Sequence, residues 1–262
     1  MTTVGVLQRL SGADPALNRE AIVAAIGRAG AEGIDLVVAP EGSAAPFPTT
    51  PAEALVVAEL ITGAFVTSLS AATRSGGAVV AGMFELDDAG RVFNTVVVVE
   101  GGELIGSYRK IHLFDAFGGG ESSWASPGPP APARFEVAGC TVGVLTCYDL
   151  RFPELSQAIT EVPIDLLCIP AGWWAGPNKV AQLVTLATAR AIEGVCAVAL
   201  ADQPGPRFCG SSMIVDHQGV VRASLDVDAV GMAVATIDRQ SMEAAREVLP
   251  ARAHRRFGVV PR

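Results

Sequence analysis

The chain has 262 residues, of which 50% are hydrophobic and 18% charged, and its formal net charge is −8. That is enough apolar material for one large α/β domain or two small ones. No Lys/Arg stripe is present, and no apolar run reaches the roughly 18 residues that a membrane span needs, so neither nucleic acid nor membrane is an expected partner.

The chain starts directly on a strand pattern, Val4 to Leu7. It shows neither a basic n-region nor an apolar h-region, so no secretory leader is expected. Asp14-Pro15 supplies a cap and an N1 proline for a helix running to about Arg28 to Gly30. Ile34 to Ala39 reads as a buried strand that runs through Pro40 into an acid, Glu41. Pro46, Phe47 and Pro48 make a rigid loop. Thr50 to Glu53 is a capping box, predicting one helix that ends near Gly76-Gly77. Gly77 to Met83 is the next strand. Asn94 to Val99 and Leu104 to Tyr108 form a hairpin around Gly101-Gly102, with Lys110 directly after it.

The second half repeats this order. Val142-Gly143-Val144-Leu145 matches Val4-Gly5-Val6-Leu7, and Ile164 to Gly172 matches Ile34 to Gly42. A helix from about Pro177 to Glu193, a strand from Gly194 to Leu200 and a hairpin from Met213 to Val221 follow. We therefore expect two β-α-β-α-β-β halves. Helices cover only one face of each sheet, and the other apolar face must also be buried. Packing the sheets face to face predicts an α/β fold, a four-layer αββα sandwich in one domain spanning 1–262 with no linker. A C-terminal arm from about 239 to 262 lies outside the repeat, either on the surface or exchanged in a dimer.

Three polar residues end strands or hairpins: Glu41, Lys110 and Cys147. The strand Val142 to Leu145 runs into Cys147, and Pro153 then opens a helix. A thiol there sits at a strand's carboxyl end, where open α/β sheets bind ligands. In the repeat, Glu41 corresponds to Ala171 and Cys147 to Arg9, so strand-end geometry alone requires neither an acid nor a thiol. Together the three make chemical sense. A free Cys is only a few per cent thiolate at pH 7, and Glu41 can take its proton during attack. Lys110 supplies charge where an oxyanion develops, and the N–H of Tyr148 is a second donor. His112, His217 and His254 are scattered, and no C-x-x-C pair occurs among the five Cys. These features predict no zinc site, no other cofactor and no disulfide framework. A reducing cytoplasm suits a reactive thiol.

With these residues in place, the sequence resembles the nitrilase superfamily of carbon–nitrogen hydrolases over nearly its whole length. Pro40-Glu41 is similar to the family's base motif, Tyr108 to Phe114 to its lysine motif, and Thr146 to Glu154 to its nucleophile elbow. Glu121-Ser122-Ser123 with Ser126-Pro127-Gly128 matches the segment that carries a second Glu. Arg190 to Glu193 and Gly210 to Ser212 also match. The resemblance implies an αββα fold, a Glu41–Lys110–Cys147 triad, Glu121 orienting substrate or water, and dimerisation. It implies hydrolysis of a small linear amide through a Cys thioester. The Lys110 to Asp115 run and the ending Leu249-Pro250 with His254-Arg255-Arg256 are most similar to the omega-amidase branch, which acts on dicarboxylate monoamides. Nitrile or N-carbamoyl amine hydrolysis, or a non-catalytic scaffold on the same fold, are the alternatives.

The pattern is broken in places. Gln182-Leu183 stand where many relatives carry His-Trp, and Gly194 where Asn is common. Gly118-Gly119-Gly120 replace bulkier residues, making either a mobile lid or a plain turn. Trp173 and Trp174 are expected at the mouth of the site or in core or dimer packing. Arg151 and Glu154 are read as structural, by ion pairing or capping.

Overall fold

A computed structural model describes residues 1–260; Pro261 and Arg262, the end of the expected arm, lie outside the described residues. Two six-stranded sheets form. In the first, β1 (Thr2–Gln8), β2 (Leu36–Val38) and β3 (Ala78–Leu86) run parallel, and β4 (Val92–Glu100) and β5 (Glu103–Arg109) continue antiparallel. In the second, β7 (Cys140–Val144), β8 (Leu166–Pro170) and β9 (Ala197–Ala201) run parallel. β10 (Met213–Val215) and β11 (Val221–Ser224) follow antiparallel.

Each sheet gains an edge strand that the periodicity did not indicate. β6 (Ala133–Val137) pairs antiparallel with β7, and β12 (Gly231–Ile237) pairs antiparallel with β1. Both are partly exposed, so neither reads as a buried apolar run.

Side-chain alternation sorts the strands into layers. Leu36 and Val38 of β2 face the other sheet, in a shared core with Val4, Val80, Val142 and Leu166. Val37, between them, faces α1 (Pro15–Ala31) and α3 (Ala64–Thr73) through Ile22, Ile26, Phe65 and Leu69. On the outer side of the second sheet, Leu167 and Val198 pack on α4 (Pro153–Ile159) and α5 (Lys179–Gly194) through Ile159, Leu183 and Ala187. The expected αββα sandwich is thus observed. No helix of the described residues is long and apolar enough to cross a membrane.

The helix expected from Pro51 to Gly76 is two helices, α2 (Pro51–Val57) and α3. The chain leaves helical geometry at Ala58, with ψ at 139°, and Glu59 then bridges to Glu85 of β3. The Glu59 carboxylate accepts from the Phe65 N–H and so satisfies an orphan donor of the second helix start. α6 (Arg239–Val248) follows β12, capped by the Asp238 side chain accepting from the Ser241 N–H.

Candidate active site

The carboxyl ends of β2, β7, β8 and β9, the end of β5 and the start of β4 meet at one rim. Residue Gly82 of β3 lets the chain after β2 lie close: a Cβ there would stand 2.6 Å from Glu41 Cα. Across the sandwich, the Glu41 N–H donates to the Ala171 carbonyl at 3.3 Å. The Gln203 amide donates to the Glu41 carbonyl at 2.7 Å.

Of the expected residues, Glu41, Lys110, Glu121, Cys147, Tyr148, Trp173 and Trp174 all line one pocket. Lys110 Nζ donates to Glu41 Oε1 at 2.9 Å and to Glu121 Oε2 at 2.7 Å. All three of these side chains are buried. The remaining oxygens are satisfied by the protein. Gly172 N–H donates to Glu41 Oε2 at 2.9 Å, and Phe114 N–H to Glu121 Oε2 at 2.6 Å. Asn94, which sequence reasoning treated only as a strand start, donates through Nδ2 to Glu41 Oε1 and Glu121 Oε1, each at 2.7 Å. Its place at the start of β4, level with the carboxyl ends of β2 and β3, follows from the antiparallel pairing Asn94–Phe84.

Cys147 sits in the expected strand-to-turn elbow. Its φ is 45°, a left-handed value that is uncommon for a non-glycine residue and typical of strained functional turns. A 3₁₀ turn over Cys147–Arg151 leads into α4. Asp149 braces this turn: Tyr108 Oη donates to its carboxylate at 2.7 Å, and the N–H groups of His112 and Thr146 donate at 3.0 and 3.1 Å. His112 stacks on Phe152 at 3.6 Å between ring centroids, so it belongs to the brace and not to the reactive cluster.

Burial pushes the Cys147 thiol well above the ordinary cysteine range, and the charge of Glu41 pushes it further. Lys110 and the Gly172 N–H pull the other way but do not win. Lys110 stays a cation: burial opposes its charge, but Glu121, Glu41 and Cys147 outweigh burial. The sulfur at rest is therefore held toward the thiol form. Alkylation of Cys147 by iodoacetamide, followed by mass at Cys147 across pH, should keep accelerating through the alkaline range. A plateau near the free-thiol pKa of about 8.5 would contradict this electrostatic picture.

Arg151 and Glu154 do not pair with each other. Arg151 donates to the Gln182 side chain at 2.7 Å, lies 4.7 Å from the Trp173 ring centroid and lines the pocket. Trp173 is buried and Trp174 half-buried. The Gly118 to Gly120 turn has a steric cause: Gly118 and Gly120 have φ of 79° and 63°, and a Cβ on Gly119 would meet the Phe114 carbonyl oxygen at 2.3 Å. Lys179 and Arg207, not singled out in the sequence, complete the lining.

Comparison with known proteins identifies the family. The family model described as carbon-nitrogen hydrolase matches residues 3–247. Hydrolase Rv0480c of Mycobacterium tuberculosis is 34% identical over 262 residues, covering 93% of this chain and 92% of that protein. Deaminated glutathione amidase of Escherichia coli O157:H7 is 38% identical over 169 residues, 64% of each chain. The crystal structure of XC1258 from Xanthomonas campestris, a CN-hydrolase superfamily protein with an arsenic adduct in its active site, superposes with a TM-score of 0.89 at 26% identity and covers 99% of both chains. With a family model matched over residues 3–247 and an αββα sandwich, the chain belongs to the carbon-nitrogen hydrolase family and is a hydrolase of the amidase type.

Proposed function

We propose that the protein hydrolyses a small linear amide to a carboxylate and ammonia through a thioester on Cys147. The observation that carries this reading is the Glu41–Lys110–Glu121 cluster lining one pocket with the buried Cys147 thiol. Glu41 takes the Sγ proton as sulfur bonds to the amide carbon, and the carbonyl electron pair moves to oxygen. Lys110 has three N–H donors; two serve Glu41 and Glu121, which leaves one for that oxyanion. The Tyr148 N–H is the second donor. Collapse breaks the C–N bond, and Glu41 returns its proton to the departing ammonia. Water then attacks the thioester, Glu41 takes its proton, and the carboxylate leaves as the thiol re-forms. Glu121, fixed by Asn94, Phe114 and Lys110, orients the nitrogen or the water.

The pocket's outer lining supports an omega-amidase-like substrate, an amide carrying its own carboxylate. Arg151, Lys179 and Arg207 stand there in a chain of net charge −8. Among the described residues none of the three is paired with a carboxylate. Each lies instead over an aromatic ring, Trp173, Phe117 and Trp174 respectively, which positions the charge without neutralising it. Nitriles and N-carbamoyl amines fit the same triad but give these cations no role unless they too carry an acid.

The reading includes a homodimer. Val248, Leu249, Phe257 and Val260, at the end of α6 and beyond it, are exposed apolar residues that a second copy would cover.

Ammonia release from succinamate and glutaramate, compared with propionamide and butyramide, tests the substrate. Acid-bearing amides should be preferred. Arg207→Gln or Lys179→Gln should lower kcat/KM for them by about 10- to 100-fold, the worth of a charged hydrogen bond, and leave the neutral amides nearly unchanged. Equal losses for both substrate sets would remove the carboxylate subsite, and no ammonia from any amide would remove the amidase reading.

A further inference from the structure

One buried acid near the site is left without a task by this mechanism. Asp202 follows β9 directly and is 0% exposed. Its place in the repeat corresponds to Met83 of β3, since Ala197 pairs with Leu166 as Ala78 pairs with Leu36. The strand end therefore does not call for an acid. Its Oδ1 accepts two hydrogen bonds, from the Trp173 N–H at 2.8 Å and the Gln203 N–H at 2.9 Å. Its Oδ2 is buried and has no partner among the described residues.

Those two N–H groups belong to the two segments that hold Glu41. Trp173 follows Gly172, whose N–H donates to Glu41 Oε2. Gln203 donates through its side chain to the Glu41 carbonyl. One oxygen of Asp202 thus ties together the two segments that hydrogen-bond Glu41. The Asp202 backbone is itself fixed, its N–H donating to Ser212 Oγ at 2.9 Å.

We propose that Asp202 is a positioning residue, held as the neutral acid, that fixes Glu41 by joining the Gly172–Trp173 and Gln203 segments through its Oδ1. Oδ1 is committed twice as an acceptor, so the proton rides on Oδ2. A third carboxylate here would stand unpaired in a buried region that already holds Glu41 and Glu121 against one Lys110, which is costly. The groups that face Asp202 agree. Burial, then the charge of Glu41, raises its carboxyl well above the usual range, although the Trp173 and Gln203 N–H groups oppose this. Cys147 and Cys209, the other titratable groups that sense it, are themselves pushed up as thiols.

The proposal rests on Glu41 as the base, so its test has arms that need no amide turnover. Asp202→Asn keeps a neutral group and an Oδ1 acceptor; Asp202→Ala keeps neither. In wild type the folded state holds a proton that the unfolded chain releases above about pH 3.9. Wild-type stability therefore falls, relative to Asp202→Asn, as pH rises above that value. The Tm difference between the two should widen with pH; a difference that stays flat would show Asp202 ionised and overturn the neutral acid.

At neutral pH, where burial leaves little free thiolate, iodoacetamide alkylation of Cys147 draws on proton transfer to Glu41 and needs no amidase activity. It should slow by roughly 10- to 100-fold in Asp202→Ala, as expected for a displaced catalytic group, and recover in Asp202→Asn. With an amide that wild type turns over, kcat should follow the same order with KM little changed. An Ala variant that alkylates like wild type, or an Asn variant as slow as Ala while equally folded, would overturn the positioning role. Failure of amide turnover in wild type, with the alkylation order intact, would count against the amidase reading alone.

Discussion

Cys147→Ala should abolish turnover and leave the fold intact. The expected loss in kcat is on the order of 10⁴- to 10⁶-fold, the scale seen when a covalent nucleophile is removed from a unit that works together. Stability should change little, for three reasons. The lost atom makes no ion pair, the strained φ of 45° costs Ala about what it costs Cys, and the Glu41–Lys110–Glu121 hydrogen bonds do not pass through sulfur. The variant should therefore still bind substrate without consuming it. An acid-bearing amide at about 100 times its Kd should raise unfolding stability by about 2.7 kcal/mol, read as a Tm shift. Neutral amides at the same concentration should raise it less, because Arg151, Lys179 and Arg207 find no anion. Full turnover by Cys147→Ala would assign the nucleophile elsewhere, and the four other cysteines, all buried, would be the first places to look.

The repeat was legible because each half carries its parallel strands as short Val/Ile/Leu runs buried on both faces. β2 needs only Leu36, Val37 and Val38 to reach both cores. What stayed hidden lies where burial is one-sided or geometry is set by a distant side chain. β12 reads GMAVATI and is half-exposed, and its strand character depends on the edge of β1. The break between α2 and α3 has no proline; Glu59 makes it by bridging to β3 and capping the next helix.

The site divides the same way. Glu41, Lys110 and Cys147 stood out as polar residues ending apolar runs. Asn94 did not, because an amide inside a Val-rich strand looks like any strand polar residue until the register brings it between two carboxylates. Arg207 lies in a turn and Lys179 opens α5, places where a cation is ordinary in sequence. Their meaning comes from the missing counter-charge in space. Asp202 was within reach of sequence reasoning: it ends a buried strand, as Glu41 does, and its counterpart in the other half is apolar.

Lys110→Met should unfold the site as well as silence it. Lys110 is only 2% exposed, and among the described residues its ammonium is the one cation bonded to both Glu41 and Glu121. Removing one partner from a buried ion cluster costs about 3–5 kcal/mol, because the desolvated carboxylates remain. The Asn94 amide and the Gly172 and Phe114 N–H groups soften that loss but carry no net charge. The pH dependence separates this from lost packing. In wild type the raised Lys110 contribution is complete below the unfolded lysine value of about 10.4 and is lost only as pH rises through the still higher folded value. At neutral pH it is fully present. In the variant, one of the two carboxylates is expected to take up a proton on folding in place of the missing cation. Its stability should then fall as pH rises from about 4, so the gap to wild type widens toward neutrality. Adding Glu121→Gln to Lys110→Met removes one of the two repelling charges. It should recover a substantial part of the stability and none of the turnover, because the oxyanion donor, worth roughly 10²- to 10³-fold, is still gone. Urea unfolding at several pH values measures both effects. A single variant within about 1 kcal/mol of wild type, or a double variant no more stable than the single, would mean that Lys110 does not hold these carboxylates together.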